Sequence, residues 1–235
     1  MIGPLCPLVN SPYNPPGMFF RHVPNALTGL RLLLAFVFFA MLAWYQYEGR
    51  GNWLLNVALF IYIVALVTDF LDGYLARRWH VEGAFGRIVD PFVDKILVLG
   101  TFIFFAGKNF VIPDPEFPSS QHLVVKTITG VAPGIVVILL ARELLVTSLR
   151  GAAESSGENF AAAFAGKFKM GFQSGTIMAI LLYVNYHEKL REWDLELYAR
   201  WVRDFGIWAT VAITLFSGIQ YIQKAVVLYR AEKMN

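Results

Sequence analysis

Long runs of apolar residues alternate with short polar segments along the chain. A helix needs about 20 predominantly apolar residues to cross the hydrocarbon core of a membrane. Six runs reach that length, and aromatic residues such as Trp44, Trp53 and Tyr183 lie near their ends, where the headgroup region favours them. The pattern therefore predicts an all-α, polytopic membrane protein with six transmembrane helices, over residues 25–45, 53–77, 84–107, 130–149, 160–183 and 205–228.

Three segments depart from this pattern. The first 24 residues are rich in proline and lack the basic leader and apolar core of a secretory signal, so we expect a retained, mobile or surface-lying tail. Pro113, Pro115 and Pro118 cannot continue a helix and predict an extramembrane loop over 111–121. Residues 187–204 mix charges with spaced leucine and tryptophan, which indicates a short helix lying on the membrane surface before the last span.

Composition supports a membrane environment and excludes several other classes. The 235 residues are 57% hydrophobic and 16% charged, whereas soluble domains carry about 25% charged residues. A net charge of +3 without a basic block gives no support to nucleic-acid binding. Cys6 is the only cysteine, which excludes an intrachain disulfide and a cysteine-based zinc site. If the chain crosses the membrane six times, both termini lie on the same side, together with ten lysines and arginines, and seven lie on the other side. Positive residues are more frequent on the cytoplasmic side, so we expect the termini in the cytoplasm.

Four aspartates stand at the junction of the second and third predicted spans. Asp69 and Asp72 are three residues apart and Asp90 and Asp94 are four apart, so each pair shares a helix face. The short connection makes the two helices antiparallel neighbours, and the carboxylates can converge. Ionisable groups at membrane depth indicate a functional site. Carboxylates without histidine or cysteine suit Mg²⁺, Mn²⁺ or Ca²⁺, and their mutual repulsion favours more than one cation.

The same stretch resembles the CDP-alcohol phosphatidyltransferase family. The family signature D-x2-D-G-x2-A-R-x8-G-x3-D-x3-D is matched with every spacing intact, at Asp69, Asp72, Gly73, Ala76, Arg77, Gly86, Asp90 and Asp94. The resemblance implies a six-helix membrane domain over 25–228, between tails 1–24 and 229–235, and a homodimer. It also implies transfer of a phosphatidyl group from CDP-diacylglycerol to an alcohol in a membrane, and we expect a bacterial inner membrane.

The resemblance assigns roles to these residues. Asp69, Asp72 and Asp90 would hold two divalent cations, Mg²⁺ or Mn²⁺, and Asp94 would complete the second metal site and act as general base. The CDP moiety would contact Gly73, Ala76, Arg77 and Gly86, with Thr28 and Arg31 beside it. Small residues in membrane helices also serve helix packing. An N-cap at Asn25 and an interfacial anchor at Arg31 would explain these residues of the first span nearly as well.

Three further stretches resemble the branch of the family that makes phosphatidylglycerophosphate from glycerol 3-phosphate. They are VPNALTGLRLLLA at 23–35, LAREL and SLR within 140–150, and GKFKMGFQ at 166–173. The acceptor phosphate would bind four cations: Arg142, Arg150, Lys167 and Lys169. Arg142 could instead pair with Glu143 or a site aspartate, and the other three could extend to lipid headgroups. Lys95 is expected to pair with a carboxylate or a lipid phosphate.

Other functions remain open at this point. The same chemistry could use inositol phosphate, serine or phosphatidylglycerol as the acceptor. A divalent-cation transporter would also place aspartates within the membrane, but no pair of interrupted helices in two symmetric halves is visible.

Overall fold

The computed structural model describes residues 18–47, 53–79, 84–112, 126–155 and 164–232. These residues form seven α-helices and a short 3₁₀ helix, Lys108–Phe110. The described part contains no β-strand, only an isolated bridge between Val111 and Thr127. The predicted all-α class is confirmed. The α-helices are α1 (Met18–Trp44), α2 (Trp53–Trp79), α3 (Ala84–Phe105), α4 (Pro133–Ser155), α5 (Phe164–Asn185), α6 (His187–Glu192) and α7 (Glu196–Glu232).

Three helices are long and apolar enough to cross a membrane, judged over the described residues. Their apolar segments are Ala26–Trp44 in α1, Trp53–Leu71 in α2 and Glu196–Val227 in α7. Each carries large apolar side chains on its outer surface, for example Phe36, Phe60 and Trp208, each about two-thirds exposed. Such surfaces suit contact with lipid. The finding is consistent with a membrane protein, whereas the number of six spans stays a prediction.

Two predictions about helix ends were wrong, namely the N-cap at Asn25 and the single surface helix over 187–204. Helix α1 begins at Met18, so the end of the predicted tail is helical and Asn25 cannot be the N-cap of this helix. The segment 187–204 does not form one surface helix. It divides into α6 and the first turns of α7, separated by a turn in which Asp194 has a φ of 59°. No proline stands between Glu196 and the last predicted span, so the helix continues through it. Most of the predicted loop 111–121 lies outside the described residues.

The helices pack in two groups that share a core. Helix α1 packs against α2 and α3, and α7 packs against α4 and α5. Contacts of α3 with α4 and α5, and of α2 with α5, join the two groups. The core contains Phe38 and Leu42 of α1 with Phe102 of α3 and Ile180 of α5, all fully buried.

Asn109 fastens the end of α1. Its Nδ2 donates to the carbonyl oxygens of Leu42 and Ala43, at 3.0 and 2.9 Å. The last carbonyls of a helix have no partner within the helix, so this side chain satisfies two of them. The backbone carbonyl of Asn109 also accepts from the N–H of Tyr47 at 2.9 Å.

Replacing Asn109 with Ala should therefore destabilise the protein. Loss of two hydrogen bonds should lower the unfolding midpoint in detergent by about 3–10 °C. The neighbouring exposed side chain of Lys108 provides the control, since Lys108→Ala removes no such bond. A midpoint equal for both variants would show that α1 is not fastened here.

Candidate active site

Three helices meet at two of the aspartates singled out by the sequence. Arg31 of α1 lies between Asp69 of α2 and Asp94 of α3. Its Nη1 is 2.7 Å from Oδ1 of Asp69 and 3.2 Å from Oδ1 of Asp94. The structure therefore brings both carboxylates to one guanidinium group. Thr28, one turn before Arg31, is buried on the same face of α1.

The side chain of Arg31 is buried at this contact and therefore needs anionic partners. The Arg31 side chain is 1% exposed, against 18% for Asp94 and 40% for Asp69. A buried cation is tolerated only when anions compensate for its lost hydration, and the two carboxylates supply that compensation. Asp69 remains open on one side, while Asp94 is more enclosed.

The remaining signature residues lie in the same two helices. Asp72, Gly73, Ala76 and Arg77 are in α2, and Gly86 and Asp90 are in α3. Their side chains lie outside the described part of the structure. Among the side chains that are described, no group of three or more histidine, cysteine, aspartate or glutamate residues could hold a metal ion.

The donors that are described fit a hard divalent cation. Asp69 and Asp94 offer only oxygen, the donor that Mg²⁺ and Mn²⁺ prefer. Their shared contact with Arg31 shows that this position stabilises positive charge. These two carboxylates could therefore belong to a cation site that Asp72 and Asp90 complete.

A second group of charged side chains lies between α3, α4, α5 and α7. We call it the cationic cluster and define it as Lys95, Arg142, Glu143, Arg150 and Lys169. Glu143 is at its centre, because its Oε1 accepts from Nη1 of Arg142 at 2.6 Å and also from Nζ of Lys169. The side chains of Arg142 and Lys169 are 8% and 3% exposed.

Helix α7 holds Arg142 from the other side. Nη2 of Arg142 donates to Oγ of Ser217 at 2.5 Å, and the guanidinium lies 5.6 Å from the centre of the Tyr221 ring. Gly218 permits this close approach, since a Cβ there would be 3.2 Å from Cγ of Arg142. Nε of Arg142 is buried and has no hydrogen-bond partner in the described part of the chain.

Lys95 and Arg150 complete the cluster through neutral partners. Nζ of Lys95 donates to Oγ1 of Thr147 at 2.6 Å, so its expected pairing with a carboxylate is not observed among the described residues. Nη2 of Arg150 donates to the hydroxyl of Tyr221 at 3.4 Å, and Nε of Arg150 is buried without a partner there. Lys95 is near enough to Arg142 and Arg150 for like-charge repulsion.

The structure thus places three of the four predicted acceptor residues, Arg142, Arg150 and Lys169, in one cluster. The side chain of the fourth, Lys167, lies outside the described part of the structure. The Arg142–Glu143 ion pair, one of the alternatives for Arg142, is present. Sequence reasoning missed the second contact of Glu143, with Lys169, and the roles of Ser217 and Tyr221. No local pattern signals these contacts, because they join residues 26 to 75 positions apart.

The two sites are neighbours through α3. Asp94, which contacts Arg31, and Lys95, which contacts Thr147 of α4, are consecutive residues. A pair of carboxylates and a set of buried cations therefore lie side by side. Such an arrangement can bind a cation-bridged diphosphate next to a second anionic ligand.

Comparison with known proteins identifies the family. The family model for CDP-alcohol phosphatidyltransferase matches residues 21–216, which is most of the chain and includes both sites. The chain belongs to this family. It is therefore a phosphatidyltransferase, as the signature predicted.

Bacterial relatives resemble the chain over nearly its whole length. A protein of Bacillus subtilis is 30% identical over 212 residues, covering 86% of this chain and 94% of the relative. One of Cereibacter sphaeroides is 27% identical, covering 90% and 98%. One of Haemophilus influenzae is 26% identical, covering 87% and 93%. All three are named CDP-diacylglycerol–glycerol-3-phosphate 3-phosphatidyltransferase.

Proposed function

We propose that this enzyme transfers a phosphatidyl group from CDP-diacylglycerol to sn-glycerol 3-phosphate in phospholipid biosynthesis, releasing CMP. The observation that carries the choice of acceptor is the cationic cluster. Four of its side chains are cations and one is a carboxylate, which leaves a net charge of three, with Arg142 and Lys169 buried and Lys95 and Arg150 partly exposed. Uncompensated charge of this size within a membrane bundle is costly and indicates an anionic ligand.

The cluster offers donors as well as charge. Nε of Arg142 and Nε of Arg150 are buried polar groups without a protein partner in the described part of the chain, so both can donate to a ligand or to a water molecule. A phosphate monoester accepts several charge-assisted hydrogen bonds at once. Glycerol 3-phosphate carries such a group, whereas serine does not. With Lys167, these cations would orient the acceptor so that its hydroxyl faces Asp94.

The donor would bind at the carboxylates. Asp69, Asp72, Asp90 and Asp94 would hold two divalent cations, Mg²⁺ or Mn²⁺, that neutralise charge developing on the diphosphate and the departing CMP. Thr28 and Arg31 would lie beside the CDP moiety. Its other contacts would be Gly73, Ala76, Arg77 and Gly86.

Asp94 would act as the general base. It takes the proton of the acceptor hydroxyl as that oxygen forms a bond to the lipid-side phosphorus. The bond from this phosphorus to the bridging oxygen breaks, and CMP leaves with that oxygen and its electron pair. Arg31 fixes the orientation of Asp94 through their contact at 3.2 Å. Positioning and charge compensation therefore supply most of the catalysis.

The proposal includes a topology. Six spans would place both sites and both termini at the cytoplasmic face of a bacterial inner membrane, in a homodimer. The exposed apolar side chains of α1, α2 and α7 support the membrane setting.

Acceptor choice tests the proposal directly. Purified protein in detergent should release CMP from CDP-diacylglycerol with Mg²⁺ or Mn²⁺ when glycerol 3-phosphate is supplied, and chelation of the metal should abolish release. Serine and phosphatidylglycerol, which lack a phosphate monoester, should each support less than about a hundredth of that rate, since one missing charged hydrogen-bond partner alone costs about 2–3 kcal/mol. Inositol phosphate carries a phosphate monoester, so the cationic cluster does not exclude it and its rate has to be compared directly with that of glycerol 3-phosphate. Release with another acceptor alone would correct the substrate. Absence of release from folded protein with every acceptor would overturn the proposed donor and acceptor.

A further inference from the structure

Glu143 is the carboxylate of the cationic cluster, and no step of the proposed transfer uses it. A single oxygen, Oε1, accepts from both Arg142 and Lys169, and the side chain is 12% exposed. Its backbone carbonyl accepts from Oγ1 of Thr147 at 2.7 Å, and Thr147 in turn accepts from Lys95. The residue is thus joined to three of the four cations of the cluster, directly or through one hydroxyl.

This contact decides whether Lys169 can serve as a cation. Its side chain is 3% exposed, and the charges of Arg142 and Lys95 act on it. A buried ammonium group among other cations keeps its charge and position only if an anion neutralises it. In the described part of the chain, Glu143 is the only carboxylate that pairs with Lys169. Removal of this carboxylate would cause Lys169 to discharge or to withdraw.

We propose that Glu143 is a positioning residue of the acceptor site, which keeps Lys169 charged and aligned with Arg142 for the acceptor phosphate. The inference rests on the proposed function of the cationic cluster. The proposal requires Glu143 to stay paired when the acceptor binds, and Nε of Arg142, which has no partner in the described part of the chain, would then be the donor to the phosphate.

An opposite effect of the carboxylate would also be physically possible. A negative charge close to the phosphate could repel it, so that removal of Glu143 would strengthen acceptor binding. The geometry favours positioning, since loss of Glu143 would also discharge Lys169 or displace it from the cluster, so that the cluster would gain no net positive charge. The two mechanisms predict opposite changes in KM.

The test is a steady-state comparison of Glu143→Gln with the wild-type protein. We expect the KM for glycerol 3-phosphate to rise about 10- to 100-fold, the range for one charge-assisted hydrogen bond. The kcat and the KM for CDP-diacylglycerol should stay within about threefold. Glu192→Gln, on the exposed end of α6, is the matched control and should leave all three constants unchanged.

A double-mutant cycle separates positioning from general loss of structure. If Glu143 acts through Lys169, the variant Glu143→Gln/Lys169→Met should bind the acceptor no more weakly than Lys169→Met alone. If the double variant lost as much acceptor affinity as the two single variants together, the proposal would be overturned. A lowered or unchanged KM in Glu143→Gln would overturn it as well.

Glu143→Asp covers the case in which Glu143→Gln does not fold. It keeps the charge but shortens the reach to Lys169, so it should raise only the KM for glycerol 3-phosphate, by about 3- to 10-fold. An unchanged KM would overturn the proposal. Failure of the proposed function would look different. In that case the wild-type protein itself would be active only with another acceptor, a result that no Glu143 variant can produce.

Discussion

Asp94→Asn should reduce the rate of CMP release by about 10³- to 10⁴-fold, close to the largest effect expected for loss of a general base. Asn has nearly the same shape but cannot accept a proton at neutral pH. It also gives a divalent cation a neutral oxygen in place of a charged one. Arg31 would still contact Asp69 at 2.7 Å, so the junction of α1 and α2 should persist.

The matched control is Asp194→Asn, an identical change outside the site. Asp194 is exposed in the turn between α6 and α7, and its φ of 59° suits Asn as well as Asp. CMP release at fixed substrate concentrations should stay near the wild-type value. Unfolding midpoints in detergent should be measured for both variants. If folded Asp94→Asn kept more than about a tenth of the wild-type rate, Asp94 would not be the base.

The approach of Asp69 to Asp94 could be predicted because it depends on local periodicity. Asp69 and Asp94 lie in helices joined by a short connection, so their approach follows from helix geometry. The guanidinium between them was not predictable. The spacing of Thr28 and Arg31 identified one face of α1, but spacing cannot tell whether that face meets a ligand or a neighbouring helix.

The cationic cluster was predicted as separate candidates and not as a network. Arg142, Arg150 and Lys169 were selected one by one. What joins them is Glu143 together with Ser217 and Tyr221 of α7. Helix α7 is distant in sequence, and its packing against α4 depends on a small residue at Gly218 that has no signature of its own.

The first residues of α1 and α7 were not predicted, for a related reason. Apolar periodicity reports which residues could lie in lipid, not where hydrogen bonding ends. Helix α7 starts at Glu196 because its polar first turns form helical hydrogen bonds, including an exposed ion pair of Glu196 with Arg200 one turn later. Polar residues thus extend α7 beyond the span that the apolar pattern predicted, 205–228.

Arg142→Gln should have the second largest effect and should act on the acceptor alone. The wild-type guanidinium pairs with Glu143, donates to Ser217 and leaves Nε for the phosphate. Loss of a buried charged partner costs about 3–5 kcal/mol, so kcat/KM for glycerol 3-phosphate should fall about 150- to 5000-fold. The KM for CDP-diacylglycerol should change less than about threefold, since the donor binds at the aspartates.

Two further variants make this result specific. Arg142→Lys keeps the charge but cannot reach Glu143, Ser217 and a phosphate together, so its loss should fall between those of the wild type and Arg142→Gln. Arg191→Gln, which removes an exposed arginine from α6, should leave both KM values unchanged. If Arg142→Gln weakened donor and acceptor equally, Arg142 would act by holding α4 against α7. A loss confined to glycerol 3-phosphate would instead place the acceptor phosphate at this guanidinium, one helix away from the proposed base.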